Sequence, residues 1–126
     1  MTQEEKQLIL TDLCGRFPYG VKVKVEEVSY PVEFDIQMLS EMKNNNWYEY
    51  PKPYLRTMIS ITVEERYELY KLLFDICSIH YIDHVINNCV NISPLYDWLN
   101  KKMFDYRGLI PKGAALEAPD EMYKEK

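Results

Sequence analysis

Apolar positions in the first half of the chain keep two different periods. Residues 2–14 set Leu8, Ile9, Leu13 and Cys14 at helical spacing. Thr2 and Glu5 are spaced as a capping box, in which each side chain satisfies the other residue's orphaned N–H. Gly15 is expected just past the helix end, and Phe17-Pro18-Tyr19-Gly20 reads as a turn. The period then falls to two. Val21, Val23 and Val25 alternate with Lys22, Lys24 and Glu26, and Val32, Phe34, Ile36 and Met38 alternate with Glu33, Asp35, Gln37 and Leu39. Two antiparallel strands are expected, with Lys22 and Lys24 opposite Glu33 and Asp35. Pro51 and Pro53 confine the extended segments that follow, as far as Ile61, to an edge or a bend.

The longest helical pattern runs from Ile61 to Cys77 and continues towards Ile86. Thr62 and Glu65 form a second capping box. Val63, Tyr67, Tyr70, Phe74 and Cys77 recur at three- and four-residue intervals, and Leu69, Leu73 and Ile76 widen them into one broad face. Such a face is expected to dock across the strands. Asn87-Asn88 stops the helix; Ser93 with Pro94 starts another, bearing Leu95, Trp98, Leu99 and Met103 and ending by Gly108. Leu109, Ile110, Ala114, Ala115 and Leu116 form an arm expected to pack back, with residues 121–126 frayed. The fold class is therefore α+β: an N-terminal helix, a small curled antiparallel sheet of three to four strands, two main helices and a packed C-terminal arm.

Composition narrows the function classes. A chain of 126 residues and 15.1 kDa fits one α+β domain, residues 1–126. The net charge is −5, and the acidity is concentrated in residues 61–100, where Arg66 and Lys71 stand against Glu64, Glu65, Glu68, Asp75, Asp83 and Asp97. That balance opposes a general electrostatic grip on nucleic acid. Cys14, Cys77 and Cys89 make no even framework, no signal-peptide pattern opens the chain, and no apolar run is long enough to cross a membrane. The expectation is a cytoplasmic protein with reduced cysteines.

Two constellations bear on chemistry. Cys77-x2-His80-x3-His84-x4-Cys89 offers zinc-type ligands, three of them on one face of a continuing helix. The spacing is not that of a standard finger, and core or helix-end packing is the competing reading. A small metal-binding protein or hydrolase built on this cluster is one alternative; the main reading carries no cofactor and no catalytic residue. The phosphate-loop, dinucleotide and His-Glu-x-x-His patterns are all missing. The second constellation is Trp47, Tyr48, Tyr50, Tyr54 and Arg56, aromatic rings with one guanidinium that suit a protein contact. Trp47, Tyr48, Tyr54 and Arg56 are the expected protein-binding residues. A nucleotide or nucleic-acid module, with Lys22, Lys24 and Lys52 sharing their face, is the third alternative.

The blocks LTDLCGRFPYGVKV, KPYLRTMISITVEE, YDWLNKKMFDYRGLI and KGAALEAPDEMY cover much of the chain in order. In them the chain resembles a family of small uncharacterised proteins of gut Bacteroidales and their phages or mobile elements. The resemblance implies no activity, cofactor or catalytic residue that carries over. The connection CSIHYIDHVINNCVNIS varies in that pattern, which counts against its metal-like residues as a shared site. The resulting expectation is a non-enzymatic protein-interaction or assembly factor with a protein partner, acting as a homo-oligomer or on another chain.

Overall fold

The fold is described from a computed structural model, which covers residues 1–44, 49–86 and 92–123, with side chains given outside 77–86. Helix α1 spans Gln3–Arg16; Thr2 caps it by accepting the Glu5 N–H at 3.1 Å. The helix does not stop at Gly15. Gly15 sits inside it, at a point where a Cβ would come within 3.3 Å of the Asn100 side chain on the neighbouring helix. A 3-10 turn, Phe17–Tyr19, follows, and Gly20, at φ 76°, turns the chain.

Strand β1 (Lys22–Lys24) pairs antiparallel with β2 (Val32–Glu33), with Lys22 opposite Glu33 as the alternation predicts. The second strand is much shorter than expected. The Asp35 carboxylate accepts the Met38 N–H at 2.9 Å and so starts a helix, α2 (Ile36–Lys43), where a strand was expected to continue. Lys24 consequently faces Lys52 of β3 (Lys52–Leu55) instead of Asp35. β3 is antiparallel to β1, and on its other side it pairs in parallel with β4 (Leu116–Glu117). The sheet, in the order β2-β1-β3-β4, is thus mixed and not wholly antiparallel.

Ile9 and Leu13 of α1 pack on Val21, Val23 and Leu55 of the sheet, with Phe34, Met42, Met103, Leu109, Ala114 and Ala115 closing the core. The C-terminal arm packs back as expected, and it also supplies β4. Tyr123 does not fray: its hydroxyl donates to the Tyr54 carbonyl at 2.8 Å and accepts the Lys22 N–H at 2.9 Å, so it laces β1 to β3. Helix α3 (Val63–Ile86) is followed by α4 (Ser93–Lys101), which ends earlier than Gly108 because Met103 takes a left-handed φ of 64°.

Candidate protein-docking surface

The surface is built outward from the end of β3. Past Leu55 the chain stays extended for one more residue: the Arg56 N–H donates to the Met103 carbonyl at 2.7 Å, and the Arg56 carbonyl accepts the Asp105 N–H at 2.8 Å. Both bonds run to the segment around Phe104, which sets Arg56 beside that residue. Its guanidinium lies 4.3 Å above the Phe104 ring, donates to both Glu65 oxygens at 2.7 Å, and reaches the Lys102 and Ser60 carbonyls at 3.3 and 3.1 Å. A planar fork meeting a planar carboxylate is a strong charge-assisted pair. That hydrogen bond, more than any other influence, holds the Glu65 carboxyl at about 2, below its ordinary 4.5.

Glu65 also completes the second capping box. Its Oε1 accepts the Thr62 N–H at 3.0 Å, and its own N–H donates to the Thr62 hydroxyl at 3.1 Å. The start of α3 is thereby fixed to the sheet. Two further contacts align the helix: Trp98 Nε1 donates to Glu68 at 3.2 Å, and Lys102 pairs with Glu68 at 3.5 Å. Leu69, Leu72, Leu73 and Ile76 are half-buried, and α3 packs on α4.

At 100° per residue those four side chains centre about 140° around the helix from Val63, Tyr67, Tyr70 and Phe74. The eight residues therefore make two faces, not one. The second face has no sheet beneath it: Val63 is 64% exposed, Tyr67 71%, Tyr70 59% and Phe74 71%. The expectation that these residues dock across the strands is corrected here, because the Arg56–Glu65 clamp turns only the leucine side towards the body. The signal was present in the spacing. A strict four-three-four interval traces a line two residues wide per two turns, whereas a core-facing stripe is broader.

The residues picked out for binding by sequence are distributed differently. Trp47 and Tyr48 lie outside the described residues. Tyr54 is half-buried in β3, and Arg56 is committed to Glu65 and Phe104 as above. Of the zinc-type set, Cys77, His80 and His84 fall on the α3 backbone with side chains outside the described part, and Cys89 lies outside the described residues altogether. Among the described residues no group of three or more His, Cys, Asp or Glu is placed to hold a metal ion. Arg107 pairs with Asp12 at 2.6 Å, while Asp105 accepts the Leu109 and Ile110 N–H groups.

A cleft of about 760 Å³ opens beside the clamp, lined by Arg56, Glu64, Glu68, Lys101, Asp120 and Tyr123 among others. Its cations are largely spoken for, Arg56 by Glu65 and Lys102 by Glu68. No helix among the described residues is long and apolar enough to cross a membrane. No family model, curated protein or solved structure matches the chain.

Proposed function

We propose that the chain is a non-enzymatic protein-interaction or assembly factor that docks through the outer face of α3. One observation carries the reading: four apolar side chains, three of them aromatic, lie exposed in a single line on a helix whose opposite side is clamped to the body. Soluble proteins seldom leave contiguous aromatic surface in water without a partner for it, and rigid aromatic rings are the side chains that anchor interfaces most strongly. The site differs from the Trp47 and Tyr48 segment; the class of function is the same. A cytoplasmic role in a bacterium or mobile element is the setting we propose, following the four-block resemblance.

The test is a photo-crosslinking residue at Tyr70, with the same residue at exposed Asp97 of α4 as control. The reading requires protein adducts from position 70 that are lost when Phe74 is changed to Ser. Equal labelling from both positions, or none from position 70, would overturn it.

A further inference from the structure

We propose that a second copy of this chain covers the stripe, with the two α3 helices antiparallel; this rests on the docking reading above and names its partner. Val63, Tyr67, Tyr70 and Phe74 occupy the d, a, d and a positions of a heptad, the seam along which two helices interlock. Read in either direction, that line has an apolar residue at each end and two tyrosines between. Turned about a two-fold axis through the middle of the line, between Glu68 and Leu69, Val63 meets the partner's Phe74 and Tyr67 meets the partner's Tyr70. Each small end faces a large one, and both phenol pairs fall at the centre. An isologous contact needs this self-complementarity.

The charges beside the seam select the direction. Glu64 and Lys71 lie on the same flank of the stripe, both are exposed, and neither is ion-paired to another described residue. In an antiparallel pair like flanks face each other, so Glu64 lies beside the partner's Lys71, and Lys71 beside the partner's Glu64. The members of each pair differ in height by two residues, about 3 Å. In a parallel pair the opposite flanks meet, which brings Arg66 to the partner's Lys71 and sets like charges together. Opposition of charge favours the antiparallel arrangement twice over.

The area available sets the strength. Three aromatic side chains, each able to bury roughly 150–250 Å² and more than half exposed, supply about 400 Å² per protomer together with Val63. The stems of Arg66 and Lys71 add to this, which brings the pair to about 1,200 Å², the lower limit for a specific interface. The dimer should therefore form reversibly with concentration.

Sedimentation equilibrium between about 1 and 100 μM brackets the affinity of an interface this small. The wild-type chain should pass from monomer to dimer across that range. Glu64→Lys and Lys71→Glu should each dimerise at least tenfold more weakly, since each sets like charges together, and an equimolar mixture of the two variants should recover dimer as a heterodimer. Circular dichroism of each variant confirms that a loss is not unfolding; if one fails to fold, Lys71→Gln with Glu64→Gln replaces the pair, and both must weaken association. A wild-type chain monomeric throughout, single variants that dimerise normally, or a mixture that fails to recover would each overturn the proposal. Adducts from Tyr70 to a different protein, with a monomeric chain, would sink the dimer and leave the docking reading standing; a monomer with no adducts at all would sink both.

Discussion

Arg56 grips Glu65 through two hydrogen bonds of 2.7 Å each, and this joins the end of β3 to the first turn of α3. The same carboxylate closes the capping box on Thr62. One side chain therefore both starts the helix and fixes its rotation about its own axis, and the rotation decides which face is left in water.

The clamp makes stability depend on acid. The folded state holds the Glu65 carboxyl at about 2, against an ordinary value of 4.5. A carboxyl whose value is depressed by folding stabilises the fold above its unfolded value, and this stabilisation fades as pH falls towards the folded one. The contribution near neutral pH is at most about 3–4 kcal/mol, and less once solvent screening of the partly exposed pair is allowed for. Denaturation of the wild type and of Glu65→Gln should differ most near neutral pH and converge as pH falls from about 4.5 towards about 2. A gap that is unchanged across that interval would remove the clamp from the account.

A second prediction concerns Asp12, which is fully buried between two arginines. Its Oδ2 accepts from Arg16 Nε at 2.9 Å and its Oδ1 from Arg107 Nη1 at 2.6 Å. Arg16 is itself wholly buried, with Nη2 on the Phe104 carbonyl at 2.6 Å and the guanidinium 5.3 Å from the Tyr106 ring centre. Removing the carboxylate would leave a buried guanidinium with no counter-charge. Asp12→Ala should lose about 3–5 kcal/mol in chemical denaturation, the range for breaking a buried pair from one side. Replacing the whole group by apolar residues of similar volume should cost much less, since the desolvation penalty leaves with the charges.

Tyr123 gives a prediction at the other end of the pH scale. Burial, above all, pushes its phenol up to about 12 from an ordinary 10. The raised value means the neutral form is favoured by folding, so this contribution is complete below about 10 and is lost as pH rises through about 12. Tyr123→Phe should lose about 1–3 kcal/mol by stranding the Lys22 N–H and the Tyr54 carbonyl that the hydroxyl serves, and it should abolish the alkaline transition attached to that phenol.

These residues also mark how far local pattern reaches. Thr2 with Glu5 and Thr62 with Glu65 are legible because a capping box is complete within four residues; the Thr62–Glu65 box closes in both directions, and at the first helix the Thr2 hydroxyl accepts the Glu5 N–H. The Lys22–Glu33 pairing is legible because one short hairpin fixes it. Val32, Phe34, Ile36 and Met38 mislead because every second member of a two-residue alternation is also four residues apart, a spacing a helix shares, and the Asp35 cap settles the choice for helix. β4 pairs with β3 across some sixty intervening residues, which no local period records. The outer face of α3 resembles core only when its apolar residues are taken together with the leucines; which face turns inward depends on Arg56, a residue outside the helix. The aromatic segment first expected to bind falls partly outside the described residues, while its Arg56 is used within the fold.

The division of α3 into an inner and an outer face has a direct consequence for stability. At a concentration low enough to keep the chain monomeric, Phe74→Ser should change the denaturation midpoint little, by about 0.5 kcal/mol or less, because the ring is already in water. Leu99→Ala, at a buried position in α4, should lose about 2–5 kcal/mol under the same conditions. Raising the concentration should then separate the two differently. Wild-type and Leu99→Ala chains retain the stripe and gain stability by mass action as they pair, whereas Phe74→Ser gains little. The informative quantity is the slope of midpoint against concentration: it should follow the outer face and ignore the inner one. A Phe74→Ser chain that unfolds at low concentration would mean that the ring is held within the monomer after all, and the outer face would no longer be surface.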